Sequence, residues 1–209
     1  MMADRAGAPA RAWQRMLSGR RLDLLDPSPL DVEISDIAHG LSRVARWNGQ
    51  TGGDHAFSVA QHSLLVEAIF REQVKNPSPD ACLAALLHDA PEYVIGDMIS
   101  PFKSVVGGGY KTVEHRLQRA IHIRFSLPAD PDEKLKKAIK RADQIAAYFE
   151  ATELAGFSTA EAAQFFGRPR GIAADRFDLT SRPVRAVQKA FLDRFMHIEK
   201  QRATIARAS

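Results

Sequence analysis

His88 and Asp89 stand side by side at the end of the apolar run Ala81-Cys82-Leu83-Ala84-Ala85-Leu86-Leu87, and Glu92 follows four residues after the histidine. Ionisable groups beside such a run are costly to bury unpaired. A divalent ion would satisfy them, because neutral imidazole and ionised carboxylate are both ordinary metal ligands. Two more ionisable residues sit in helical apolar patterns. His62 lies within Ser58-Val59-Ala60-Gln61-His62-Ser63-Leu64-Leu65-Val66, and Asp143 within Ile139-Lys140-Arg141-Ala142-Asp143-Gln144-Ile145. Each has a plainer role to set against this. A lone histidine on an apolar face is commonly a satisfied core residue, and Asp143 could pair with a neighbouring lysine or arginine. Taken together, ligands borne by three segments can converge on one ion inside a helical bundle. The expected metal ligands are therefore His62, His88, Asp89 and Asp143.

Two neutral nitrogens and two carboxylates balance a divalent charge. The mixed donor set suits Mn, Co, Ni, Fe or Zn better than Ca or Mg. A metal in such a place lowers the pKa of its water and polarises a phosphoryl oxygen, so hydrolysis of a phosphate ester is natural chemistry for it.

The elements that must position these groups read as helical almost throughout. Ser35 is expected to cap a helix carrying Ile37, Ala38, Leu41 and Val44, with Gly40 as its weak point. Ser58 and Gln61 form a capping-box pattern for a helix over about 58–74. Ser78-Pro79-Asp80 opens the helix that ends in His88-Asp89, where Pro91 forces a break. Residues 95–109 read as a loop or broken helices, followed by a helix over 110–125. Asp130-Pro131-Asp132-Glu133 begins another, reaching about 154 before Gly156. Ser158 and Glu161 cap a short helix up to Gly167, residues 167–180 are irregular, and 183–206 are helical again. No segment shows sustained period-two alternation. The expected architecture is an all-α, single-domain bundle.

Composition excludes several function classes. At 209 residues, 45% hydrophobic and 26% charged, the chain fits one globular domain. No apolar run approaches the ~20 residues that cross a bilayer. The single Cys82 excludes an intramolecular disulfide and fits a reducing, cytoplasmic setting. Residues 1–30 are expected to be a basic, partly flexible segment, with a disordered or loosely helical start, and they carry no secretory apolar core. The net charge of +4 suits a small anionic substrate rather than a nucleic-acid polymer. The basic run Lys134 to Arg141 has apolar residues at helical spacing, so it reads as a solvated helix face.

The order His62, His88-Asp89, Asp143 resembles the HD superfamily of metal-dependent phosphohydrolases over roughly residues 34–155. More narrowly, the chain is similar to the branch of bacterial 5'-deoxynucleotidases and phage dATP triphosphohydrolases. The residues that carry this are Ile34-Ser35-Asp36-Ile37-Ala38-His39, Arg46-Trp47, Phe57-Ser58-Val59-Ala60-Gln61-His62-Ser63, His88-Asp89-Ala90-Pro91-Glu92, Gly96-Asp97 and Ser100-Pro101-Phe102-Lys103. The resemblance implies an HD-type domain over 31–209 with C-terminal helices. It also implies a nucleotide substrate, one divalent ion, and pairing into homodimers through the C-terminal helix around Phe191 and Phe195.

It further implies roles. Glu92 would orient or deprotonate the attacking water or protonate the leaving oxygen, with Asp97 as its partner. Arg46 would grip phosphate, Lys103 would supply a point charge, and Trp47 would wall off a ribose 2'-hydroxyl. His115 and His122, seven residues apart, share a helix face. In other HD branches extra histidines here build a second metal site, but the companion motifs of those branches are absent from this sequence. The leading expectation is phosphate removal from 2'-deoxynucleoside monophosphates. Triphosphate release from a dNTP stands as the alternative, with a nucleotide-binding regulatory module without turnover behind it.

Overall fold

The structure, a computed structural model, describes residues 12–98 and 108–208. Among these are eight α-helices and one two-stranded antiparallel sheet. The all-α expectation holds.

The chain starts as a hairpin, β1 (Trp13–Arg15) paired with β2 (Arg21–Asp23), Trp13 opposite Asp23. A loose or helical start is thus overturned for these residues. Three-residue strands are too short to show a period. What holds the hairpin is a tertiary anchor, because the Ser18 N–H and hydroxyl at its turn both donate to the buried Asp36 carboxylate.

Asp36 belongs to α1 (Ile34–Leu41), whose N-cap is Glu33. Ser35, expected as the cap, therefore lies inside the first turn. The next helices are α2 (Val59–Gln73), α3 (Pro79–Leu86) and α4 (Glu92–Ile95). Then come α5 (Gly108–Arg124), α6 (Glu133–Glu153), α7 (Thr159–Phe166) and α8 (Val184–Ala208). Side-chain oxygens cap the starts where the sequence places them, Ser58 on Gln61 N, Ser78 on Ala81 N, and Ser158 with Glu161 in a closed capping box. The Ser58 box stays open. Gln61 instead donates its amide to the Thr180 carbonyl and accepts from Arg182 N–H, tying down the irregular segment before α8.

Helix α2 is the centre of the bundle and packs against α3, α6 and α8. The core runs through Val59, Val66, Ile69 and Phe70 on α2, Leu83 and Leu86 on α3, Ala142 and Phe149 on α6, and Phe191 and Ile198 on α8. Arg194 clamps α8 to α2 through two contacts with the buried Glu67, at 3.0 and 2.5 Å. Phe191 and Phe195 are themselves buried within the protomer. They are core residues, not the face offered to a second copy that the sequence suggested.

Gly40 is not a weak point but a close-approach position. A Cβ there would lie 2.7 Å from the Tyr93 carbonyl oxygen and 2.8 Å from the Tyr93 Cβ. Helix α1 can approach α4 this closely only because the residue is glycine. In an exposed helix, Gly→Ala gains about 1 kcal/mol of propensity. Here the obstructing atoms include backbone, so overpacking wins. Gly40→Ala is expected to lower stability by about 1–2 kcal/mol, read as a lower urea midpoint with an unchanged slope.

Candidate metal centre and active site

His62 sits in the second turn of α2 and is fully buried. His88 and Asp89 occupy the turn between α3 and α4, slightly beyond the helix end predicted for them. Asp143 lies midway along α6. An isolated bridge between Ala45 and Ser58, with Arg46 N–H on Phe57 O, folds the 44–59 loop back on itself. That places Arg46 and Trp47 beside the start of α2. Glu92 is the first residue of α4 and is buried, and Asp97 follows the Gly96 C-cap.

The two imidazoles are oriented alike. The His62 Nδ1–H donates to Glu150 Oε1 at 2.5 Å, and the His88 Nδ1–H to Ala85 O at 3.0 Å. Each acceptor fixes the tautomer, so both Nε2 atoms carry the lone pair in the neutral ring. Both Nε2 atoms are buried and have no hydrogen-bond partner. Two orphaned, pre-aimed nitrogens in an apolar bundle are what a cation site requires. Ligand atoms of His62, His88 and Asp143 lie within 4.8 Å of one another, the one such group among the described residues. Asp89 Oδ2 flanks them, 3.4 Å from His62 Nε2 and 3.2 Å from His88 Nε2. His62, His88 and Asp143 thus make a group that could hold one divalent ion with mixed nitrogen and oxygen ligation, with Asp89 beside it.

The electrostatics agree. Burial opposes protonation of His62, as does nearby Arg46, yet Glu150, Asp143 and Asp89 outweigh both and raise its pKa well above the usual value. Burial raises the carboxyls of Asp89 and Asp143, but the adjacent histidines more than reverse this and hold both low. The cluster therefore favours positive charge at His62, which is also what a cation would supply.

Several residues not singled out in the sequence join the site. Glu150 is completely buried and accepts from His62, from Arg46 Nε at 3.2 Å and from Trp47 Nε1 at 3.0 Å. It lies seven residues after Asp143 on α6, so two turns of one face carry both, a signal present in the sequence. Lys140, part of the basic run read as solvated, places Nζ 2.7 Å from Asp143 Oδ2. Tyr110 on α5 donates to Gly96 O at 3.3 Å. Burial and the carboxylates of Glu114, Glu92, Asp97 and Asp89 raise its phenol, which marks it as facing the acids.

Arg46 also reaches Asp97 Oδ2 at 2.8 Å, so its guanidinium bridges two carboxylates. The Trp47 ring packs on Phe157 and Phe166, at centroid distances of 5.6 and 5.8 Å. Lys103, with Ser100, Pro101 and Phe102, lies outside the described residues. A cleft of about 330 Å³ is lined by the candidate ligands His88, Asp89 and Asp143 together with Gln118, Arg119 and Lys136. His115 and His122 also line it. Their rings are engaged elsewhere, His115 with Asp130 at 3.1 Å and His122 with Gln118 and the Pro128 carbonyl.

A metal binding here must displace the His62 proton. Because the surrounding carboxylates raise the His62 pKa, its protonated form competes with the ion to higher pH than a free imidazole would. Apparent metal affinity is thus expected to climb as pH rises through the neutral range. Calorimetric titration of metal-stripped protein in buffers of different ionisation enthalpy should show proton release on binding. A pH-independent affinity would contradict the assignment of His62 as a ligand.

A family model described as "5'-deoxynucleotidase YfbR-like" matches residues 38–196. An uncharacterized protein of Rhodobacter capsulatus is 56% identical over 184 residues, covering 88% of this chain and 94% of its own length. Among the described residues no helix is long and apolar enough to cross a membrane. The match spans all four candidate ligands together with Arg46, Trp47, Glu92 and Asp97, and the chain belongs to the YfbR-like 5'-deoxynucleotidase family of HD-type phosphohydrolases.

Proposed function

We propose that this protein is a metal-dependent phosphohydrolase that removes phosphate from 2'-deoxynucleoside 5'-monophosphates. The observation that carries the reading is the pair of buried, unpartnered Nε2 atoms of His62 and His88 beside Asp143, in a chain of this family. The ion they would hold, one of Mn, Co, Ni, Fe or Zn, supplies an activated water and polarises a phosphoryl oxygen.

The remaining steps fall to the chain's own side chains. Glu92, buried at the head of α4, orients the attacking water and exchanges a proton with it or with the leaving 5'-oxygen. Asp97 holds Arg46 and through it the anion-facing side of the site. Arg46 offsets the charge of the phosphate, though it shares its own charge with Asp97 and Glu150. Lys103 would add a second cation. Trp47, held by Glu150 and two phenylalanine rings, forms a stiff wall against which a 2'-hydroxyl would lose its hydrogen-bond partners.

One observation favours a second substrate class. The cleft beside the ligands is also lined by Arg119, Lys136 and Lys140, each paired with an acid that further phosphates would displace. Triphosphate release from a dNTP is the alternative that this geometry supports.

Metal-stripped protein resupplied with each ion should release orthophosphate and nucleoside from dNMPs, and more slowly from NMPs. Release of triphosphate from dNTPs would instead place the protein with the alternative. Silence with every ion despite tight metal binding would leave a regulatory nucleotide-binding module. Glu92→Gln is expected to lower turnover at least about 100-fold with metal affinity unchanged. Retained turnover in that variant would remove Glu92 from the proton-transfer role.

A further inference from the structure

Trp47 and Asn48 both adopt left-handed backbone angles, φ 56°, ψ 29° and φ 51°, ψ 31°. Two consecutive non-glycine residues rarely adopt this region, least of all a bulky aromatic one. Such a conformation persists where the surroundings over-determine it. Here the surroundings are specific. The indole N–H of Trp47 and the Nε–H of Arg46 both end on Glu150 Oε2, at 3.0 and 3.2 Å, while Glu150 Oε1 takes the His62 Nδ1–H at 2.5 Å. One buried carboxylate therefore receives three donors. One of them orients a candidate metal ligand, and the other two belong to the loop that carries Arg46 and Trp47.

We propose that Glu150 is a positioning residue that ties occupancy of the metal centre to the placement of Arg46 and Trp47. A hydrogen-bonded carboxylate behind a ligating histidine fixes its tautomer and raises its basicity. When an ion takes the place of the proton on His62 Nε2, the ring changes from imidazolium to a ligated neutral imidazole, and its Nδ1–H takes less of the Glu150 charge. More of that charge then faces the indole and guanidinium. Trp47, in a backbone conformation maintained partly by that bond, registers the change. The loop is thus set for substrate by the ion, without an atom of the loop touching it.

Only a carboxylate serves this arrangement. In Glu150→Gln the amide can present its oxygen either to His62 or to the Arg46–Trp47 pair. Its NH₂ then confronts a donor on the other side. If it confronts His62, the ring adopts the Nε2–H tautomer and the metal nitrogen is lost.

The inference rests on the metal centre, and not on which nucleotide the enzyme hydrolyses, so the test needs no substrate. The chain has two tryptophans, so Trp13→Phe leaves Trp47 as the reporter. Zn(II) is titrated into the metal-stripped single-tryptophan protein, with affinity measured by chelator competition and Trp47 emission recorded. The expected result is an emission shift on Zn loading. Adding Glu150→Gln should lower Zn affinity about 10–100-fold and abolish the emission shift at saturating Zn. No shift in the single-tryptophan parent overturns the coupling, as does Zn affinity in Glu150→Gln within about twofold of the parent. Should Glu150→Gln fail to fold by circular dichroism, Trp47→Phe in the otherwise native chain takes its place. It removes one donor from Glu150 and should change Zn affinity severalfold, and an unchanged affinity overturns the proposal. Failure of Zn to bind the parent at all would instead strike the metal centre itself.

Discussion

Everything around α2 is arranged to keep acidic groups in a place that disfavours them. Asp89, Asp143, Glu150, Glu92 and Asp97 gather where apolar helices meet, with Arg46 and Lys140 as the fixed cations beside them. Desolvation in such surroundings disfavours every carboxylate charge, and mutual repulsion adds to it. The bundle tolerates this because Asp89, Asp143, Glu150 and Asp97 are each tied to a histidine, an arginine, a lysine or an indole. A divalent ion is the one addition that relieves the remaining imbalance at its centre. The close packing of α1 on α4 at Gly40, the hairpin anchored on Asp36, and the clamp of α8 on α2 all support that arrangement.

Much of this was legible in the sequence, for identifiable reasons. Helical periodicity and cap residues located α2, α3, α6 and α7, since Ser58, Ser78 and Ser158 signal through local chemistry alone. His62, His88, Asp89 and Asp143 stood out because each is ionisable within an apolar pattern. Other features escaped notice because their cause is tertiary. The hairpin depends on Ser18 reaching Asp36, eighteen residues away. Glu150 looks like an ordinary polar residue among Phe149, Ala151 and Thr152, and its role emerges only when His62, Arg46 and Trp47 arrive from other elements. Lys140 was read correctly as part of a solvated face, yet its long stem lets the ammonium reach Asp143 from that face. Gly40 was read by helix propensity, which cannot see Tyr93.

The turn between α3 and α4 shows how little regular structure a site needs. Leu87 ends the helix, His88 bonds back to Ala85, and Pro91 starts the next short helix. Those five residues bring the two candidate ligands together and place Glu92 directly after Pro91. A longer loop would leave them mobile, and a continuous helix would splay them apart.

The contacts that finish the centre join residues far apart in the chain, since Glu150 is 88 residues from His62 and 104 from Arg46. During synthesis the N-terminal portion emerges first, with His62, His88 and Asp89 already present but Asp143 and Glu150 still inside the ribosome. Two histidines and one aspartate make an incomplete, unselective trap that any first-row ion in the cell could visit. Only when α6 docks along α2 does the donor set close and the His62 tautomer become fixed. The order of translation thus postpones closure of the candidate donor set until α6 has docked along α2.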